Sequence, residues 1–242
     1  MKPSKHHDIE LLPDESVDDF MNGGLRLIQS RTGYRFSIDA ILLSEFVAVK
    51  KGDVVVDLGT GCGIMPLMLL SKRQISHAFG LEIQPGLACQ TARNAALNGF
   101  SDRMSVIIGD IRNPPLSPLC ADVVICNPPY RRKESGRINP DRERAIARHE
   151  ILASLDDILT TTKRIIRPGG RLAMIYPADR LTDLMMKLRR SGLEPKRLRI
   201  VYPGMQSDAK LALIEASVGG KPGLKILPPL VDQGEYSIGG RT

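Results

Sequence analysis

A chain of 242 residues with 42% apolar, 25% charged and 4% aromatic residues has the make-up of one globular domain with modest extensions, which excludes the fibrous and disordered classes. No run approaches the roughly 20 apolar residues of a membrane helix, and Met1 to Glu10 lacks the apolar core of a secretory signal, so a cytoplasmic protein is expected. The net charge of +7 favours a polyanionic partner, because Lys and Arg that neutralise phosphates release condensed counterions.

In chain order, residues 1–50 read as an N-terminal extension packing on the core, in which Arg35-Phe36-Ser37-Ile38-Asp39 leads into a helical run, Ala40–Val49. Residues 51–218 form the core domain. Its short β-rich apolar runs are Val54–Asp57, Ala78–Glu82, Met104–Ile108, Val123–Cys126, Leu172–Tyr176, Leu198–Tyr202 and Leu211–Ala216. Helical patterns fall between them at Met65–Lys72, Gly86–Asn98, His149–Ile166 and Arg180–Ser191. This alternation predicts an α/β, Rossmann-like fold: a seven-stranded, mostly parallel sheet with helices on both faces. Arg167-Pro168-Gly169-Gly170 reads as the turn that ends one helix and feeds the next strand. Arg131 to Arg144 and Pro203 to Ala209 read as loops over a site, and the Gly- and Pro-rich tail, 219–242, as an extended surface segment. Cys62, Cys89, Cys120 and Cys126 show no C-x-x-C spacing, which argues against a disulfide framework and against a metal site.

The first strand ends in Asp57 and runs into Leu58-Gly59-Thr60-Gly61-Cys62-Gly63 and then a helix. Glycine suits a sharp turn whose backbone must approach a ligand closely, and in a nucleotide-binding α/β fold that turn lies at the carboxyl edge of the sheet. The G-x-G-x-G spacing differs from the G-x-G-x-x-G of dinucleotide sites, and Asp57 would repel a pyrophosphate seated on the helix N-terminus. S-adenosyl-L-methionine carries no phosphate; its cationic amino group and sulfonium make a carboxylate an asset. The loop resembles motif I of the class I methyltransferases. Glu82 ends the next strand, where it can accept both ribose hydroxyl protons. Asp110 follows the third, where the resemblance implies an acceptor for the cofactor's adenine amino group. A single acid at such a place is more often a solvated loop residue or a helix cap, but acids at three successive strand ends are a specific pattern. The expected cofactor set is Asp57, Gly59, Thr60, Gly61, Cys62, Gly63, Glu82, Ile83, Asp110 and Ile111, joined by Asn127. The stretch Arg93 to Gly99 fits the helix that follows the ribose acid, and equally an ordinary surface helix with a Gly stop.

After the fourth strand comes Asn127-Pro128-Pro129-Tyr130. Consecutive prolines by themselves read as a rigid turn; their position at the carboxyl end of the fourth strand is what makes them informative. Class I amino-methyltransferases carry such a tetrapeptide there. An exocyclic amine is a poor nucleophile because its lone pair is delocalised into the ring. Two acceptors, the Asn127 side-chain oxygen and the Pro128 carbonyl, can each take one N–H and stabilise the charge that develops on nitrogen. Tyr130 offers an aromatic face for a planar substrate. Asn127, Pro128 and Tyr130 are therefore the catalytic candidates, with Pro129 on the substrate side. A base in a structured nucleic acid would have to leave its stack to reach them.

Arg131, Arg132, Lys133, Arg137, Arg142, Arg144 and Arg148 follow at once and suit a phosphate-binding lid as well as a solvated loop. A second basic group is Lys187, Arg189, Arg190, Lys196, Arg197 and Arg199. His149, at a helix start, reads as a packing or capping residue before a general base; it is kept with the substrate-side residues.

Gly33 to Leu43, Val56–Gly63, Asn127–Tyr130, Ala147-Arg148-His149-Glu150 and Gly234-Glu235-Tyr236-Ser237 together resemble the bacterial tRNA1(Val) adenine N-methyltransferase family, from about Asp18 to Ser237. The resemblance implies methylation of an adenosine beside the anticodon, with Arg35, Phe36 and Asp39 helping to close the site. Protein-glutamine methyltransferases of the release-factor type share the tetrapeptide, because a carboxamide presents the same planar NH2, but they carry a larger helical domain before motif I. Amino-methyltransferases of rRNA or DNA are a further alternative. A silent RNA-binding module would have no use for Asn127, and a nicotinamide oxidoreductase is disfavoured by Asp57 and the glycine spacing.

Overall fold

The computed structural model describes residues 10–21, 23–32, 35–73, 75–128 and 153–231. Strand β1 (Glu15–Phe20) and strand β2 (Leu25–Ser30) form an antiparallel hairpin, and helix α1 (Ile38–Phe46) follows. The core then alternates β3 (Val54–Leu58), α2 (Ile64–Lys72), β4 (His77–Glu82), α3 (Pro85–Leu97), β5 (Met104–Ile108) and β6 (Ala121–Cys126). After the undescribed stretch come α4 (Leu155–Ile165), β7 (Ile166–Pro177), α5 (Leu181–Arg190), β8 (Leu193–Tyr202) and β9 (Leu211–Val218).

The seven long strands lie in the order β8-β9-β7-β6-β3-β4-β5, with β9 antiparallel to both its neighbours and the remaining pairs parallel. The expected Rossmann-like sheet is therefore present. It is also longer than expected, because the tail contributes β10 (Lys225–Ile226) and β11 (Leu230–Val231), both paired parallel to β8. These two short pairs cover an edge that would otherwise present unpaired backbone groups, so this part of the tail belongs to the sheet.

Burial on two faces explains the near-continuous apolar runs. Val123, Ile125, Ala173 and Ile175 pack with the hairpin, α1 and α2 on one face. Val124, Cys126, Leu172 and Met174 pack with α4 and α5 on the other. Helix α4 starts at Ser154, whose side chain caps the Asp157 N–H while Asp157 returns the bond to the Ser154 N–H; this capping box fixes the start. The expected helix began earlier, at His149, which lies outside the described residues. Arg167-Pro168-Gly169-Gly170 ends the helix as expected, but it forms an irregularity inside β7 and not a turn before it. Gly169 has φ +74°, and a Cβ on Gly170 would stand 3.0 Å from the Asp122 carbonyl oxygen, so both glycines are required by the backbone.

The hairpin was not legible in the sequence. Three of the six residues of β1 are acidic, which is poor strand composition, and the buried stripe lies on β2 at Leu25, Leu27 and Ile28. Its outer edge is held by α3. The Asn94 side chain accepts from the Ile28 N–H at 2.6 Å and donates to the Ile28 carbonyl at 3.2 Å, and Asn98 does the same for Arg26 at 2.9 and 2.7 Å. Four residues apart, the two amides share one helix face and act as a substitute strand. Arg93 adds two bonds of 2.8 Å to the carboxylate of Glu15, which lowers that carboxyl's pKa.

Asn94 is fully buried, so Asn94→Ala leaves several buried backbone groups without partners. We expect it to lower unfolding stability by about 3 kcal/mol in urea titrations, against about 1 kcal/mol for Asn98→Ala, whose groups can reach water.

Candidate active site

Strands β3 to β7 run parallel, so Leu58, Glu82, Ile108, Cys126 and Pro177 all end at one edge, the place where α/β sheets bind ligands. The glycine loop leaves β3 there. Its turn is tied to β4: the N–H groups of Gly59 and Thr60 both donate to the Leu81 carbonyl, at 2.9 and 3.0 Å. Gly59, Gly61 and Gly63 have φ values of +83°, +58° and +84°, a region that L side chains rarely adopt. Gly63 begins α2, and a Cβ there would stand 2.6 Å from the Thr91 methyl.

Three side chains hold the loop's polar atoms. Glu82 accepts from the Gly61 N–H at 2.9 Å through Oε2 and from the Gln84 N–H at 3.0 Å through Oε1. Thr91 donates to the Gly61 carbonyl at 2.5 Å, and Asn94 donates to the Cys62 carbonyl at 2.9 Å. Thr91 and Asn94 were missed in the sequence. The available signal was a polar stripe, Thr91, Asn94 and Asn98, recurring at helical spacing on the side that should be apolar.

Asp57 lies wholly buried beneath the loop, and neither of its carboxylate oxygens has a hydrogen-bond partner. Burial pushes its pKa up to about 7; the nearby Thr60 hydroxyl opposes this and the Glu82 carboxylate adds to it. Thr60 is close enough to influence the ionisation, yet it does not reach hydrogen-bond geometry with either oxygen. Cys62 is buried and its thiol is pushed up to about 12, so it stays protonated and acts as packing.

In front of the loop is a cleft lined by Gly59, Leu81, Glu82, Ile83, Asp110, Ile111 and Ala153. It gathers five of the expected cofactor residues and adds Leu81 and Ala153. Asp110 is held by Arg112 through bonds of 2.5 to 3.1 Å, which lowers its carboxyl pKa. Thr161 fixes the neighbouring turn by donating to the Ile111 carbonyl at 2.5 Å.

Asn127 leaves β6 at the same edge. Asp57 pairs with Ile125, and two residues further along this register Asn127 stands level with Gly59. It is half-buried and Pro128 is buried. Pro129, Tyr130, Arg131, Arg132, Lys133 and His149 lie outside the described residues. On the near rim, Arg35 is exposed and pairs with Asp18. Phe36, expected to help close the site on the substrate side, is a core residue, 4% exposed and edge-on to Phe20 with ring centroids 5.5 Å apart. Asp39 is half-buried, and its carboxyl is pushed up by burial while the Lys210 ammonium opposes the shift. Half of the second basic group is paired internally: Lys187 with Asp156, Arg189 with Glu194 and Arg197 with Glu215.

The residues fit S-adenosyl-L-methionine. The orphaned, buried Asp57 carboxylate suits a cationic ligand, the glycine backbone leaves room for close approach, and each Glu82 oxygen keeps a lone pair for a hydroxyl donor.

A methyltransferase domain model matches residues 49–211, from just after α1 to the first residue of β9, and the protein is a Rossmann-like methyltransferase. The solved structure of a predicted O-methyltransferase of Agrobacterium tumefaciens shares the fold, with a TM-score of 0.65 and 21% identity over 81% of this chain and 88% of its own. A tRNA1(Val) (adenine(37)-N6)-methyltransferase of Porphyromonas gingivalis is 33% identical over 196 residues, 77% of this chain and 76% of the relative. One of the same description from Parabacteroides distasonis is 28% identical, covering 82% and 84%. The chain belongs to this tRNA1(Val) (adenine(37)-N6)-methyltransferase family. No helix among the described residues is long and apolar enough to cross a membrane.

The ionisation of Asp57 gives a signed prediction. A carboxyl whose folded pKa is near 7 against an ordinary 3.8 favours the folded state most below pH 4, and that advantage is lost as pH rises through 7. A displacement of this size is worth on the order of 4 kcal/mol. Cofactor-free Asp57→Asn should therefore exceed wild type in stability at pH 8 and converge with it towards pH 4, as read by urea unfolding at the two pH values. It should bind S-adenosyl-L-methionine more weakly than wild type at pH 8 by calorimetry.

Proposed function

We propose that this chain transfers a methyl group to the exocyclic N6 amino group of an adenine in tRNA, in the cytoplasm. The observation that carries the reading is the register that brings Asn127-Pro128 level with Gly59, beside a glycine loop built over a buried, unpartnered carboxylate. Membership of the adenine-N6 family supports the choice of base and of tRNA.

S-adenosyl-L-methionine supplies an electrophilic methyl group on a sulfonium. Asp57 and the backbone of Gly59 to Gly63 would hold its amino-acid end, Glu82 its ribose hydroxyls, and Ile83, Asp110 and Ile111 its adenine. Asn127 and the Pro128 carbonyl each accept one N–H of the target amine, which turns the nitrogen lone pair out of conjugation and stabilises the positive charge that develops there. Both acceptors belong to Asn127-Pro128, where the Pro128 ring fixes the backbone torsion that lies between them, so little reorganisation accompanies the reaction. Tyr130, next in the chain, supplies an aromatic face for the ring. No nucleophilic side chain is needed, and alignment of donor and acceptor contributes much of the acceleration. Arg131, Arg132 and Lys133 adjoin the site in sequence and suit phosphates flanking the target.

The test is methyl transfer from labelled S-adenosyl-L-methionine to bulk tRNA, rRNA and release factor in parallel, followed by nucleoside analysis. Label is expected in N6-methyladenosine from tRNA; label in protein alone would sink the reading. Asn127→Ala is expected to bind the cofactor nearly as well as wild type while losing roughly 10²–10³-fold in kcat, as for removal of one preorganised polar contact. Near wild-type turnover in that variant would exclude the proposed role.

A further inference from the structure

We infer that the β8–β9 turn, residues 203–210, is an unstacking finger that inserts the Met205 side chain into the base stack the target nucleotide leaves. The inference rests on an RNA substrate, as proposed above. Its first support is position. Strand β8 runs antiparallel to β9, which runs antiparallel to β7, so β8 ends at the same edge as β6 and the turn rises from the edge that carries Asn127. Two to three strand spacings separate β6 from the turn, roughly 10–14 Å, a span suited to a nucleotide swung out about its backbone. The root of the turn also lies beside the N-terminal end of α1, since Lys210 acts on the Asp39 carboxyl.

The second support is construction. The Lys210 N–H donates to the Val201 carbonyl at 2.9 Å and its own carbonyl accepts from the Ala178 N–H at 3.0 Å, so the root is fastened to both β8 and the end of β7. At the apex the Ser207 N–H closes onto the Gly204 carbonyl at 3.2 Å, and Pro203 fixes the entry. This closed turn projects Met205 outward, 82% exposed, the most exposed large apolar side chain among the described residues.

The third support is the make-up of the turn. The neighbours of Met205 along it, Gly204, Gln206, Ser207 and Asp208, are polar or lack a side chain, and no other residue of the turn is an exposed large apolar one. A lone exposed apolar residue is in general unremarkable. Mounted on a fastened turn at the rim of a site that must extract a stacked base, it matches the apolar wedges, Met among them, that nucleic-acid-bending proteins drive between bases.

The experiment uses the full chain and an anticodon stem-loop RNA carrying 2-aminopurine, whose fluorescence rises on unstacking, at the adenine that the labelled assay identifies. With S-adenosyl-L-homocysteine present, wild type and Met205→Leu are expected to raise the fluorescence several-fold, and Met205→Ala and Met205→Gln to lose most of that rise with unchanged cofactor affinity. In turnover, Met205→Ala should lose roughly tenfold in kcat/KM on folded tRNA and stay at the wild-type rate on an unstructured adenosine-containing trinucleotide. Equal fluorescence and equal kcat/KM on folded tRNA for wild type and Met205→Ala would overturn the finger. Equal losses on tRNA and trinucleotide would overturn it too, as damage to the site itself. Failure of the RNA reading is separate: wild type would then place no label in any RNA.

Discussion

The site depends on an uncompensated carboxylate. Asp57 sits at the end of a central strand, fully buried, with no donor to either oxygen. A bare buried charge is among the most expensive features a fold can carry, and the carboxyl's pKa of about 7 records that expense. Such an arrangement persists when the surrounding structure over-determines it. Here β3 is clamped between β4 and β6 in a sheet packed on both faces, so Asp57 cannot move to water. A cationic ligand brought against it would favour the carboxylate form, and its binding would then release a proton near neutral pH.

The glycine loop above Asp57 is held with equal economy of freedom. Its amides hang from Leu81 and Glu82 on β4, while its carbonyls are taken by Thr91 and Asn94 on α3. Asn94 also grips both backbone groups of Ile28. One buried amide thus joins the N-terminal hairpin to the turn that faces the cofactor. The extension is therefore structurally continuous with the edge that carries the glycine loop: β2 is bonded to α3 through Asn94 and Asn98, and Asn94 also holds the Cys62 carbonyl. Preorganisation of this kind keeps donors and acceptors in place without reorganisation during the reaction.

What could be read from the sequence follows from what has a period or a spacing. The seven long strands and the core helices announce themselves by apolar runs and amphipathic patterns, and Asp57, Glu82, Asp110 and Asn127 by their places at strand ends. The β1–β2 hairpin has neither signal: Asp18 and Asp19 sit in a strand whose partner supplies nearly all the burial. Phe36 was legible as important, but pattern alone cannot separate a rim aromatic from one that closes the core against Phe20. The tail strands β10 and β11 are two residues each, too short for any period, and exist because β8 offers an unpaired edge. Thr91 and Asn94 look like surface polar residues until the backbone they satisfy is known.

Charge shows the same separation between composition and placement. A net +7 suggests a polyanionic partner, yet half of the basic cluster around β8 is engaged with Glu194, Glu215 and Asp156, and Arg197 also stacks over Phe46, 4.7 Å from its ring centroid. Arg93, Arg112 and Arg171 are likewise engaged with Glu15, Asp110 and Asp53. These pairs contribute packing and local rigidity, and a paired guanidinium gives up little counterion on meeting a phosphate. Residues 131–148 hold seven Lys and Arg against three Asp and Glu, directly after Asn127-Pro128-Pro129-Tyr130. By sequence, therefore, the excess of positive charge is concentrated in residues 131–148 more than in the cluster around β8, and long-range attraction to a polyanion is better sought there.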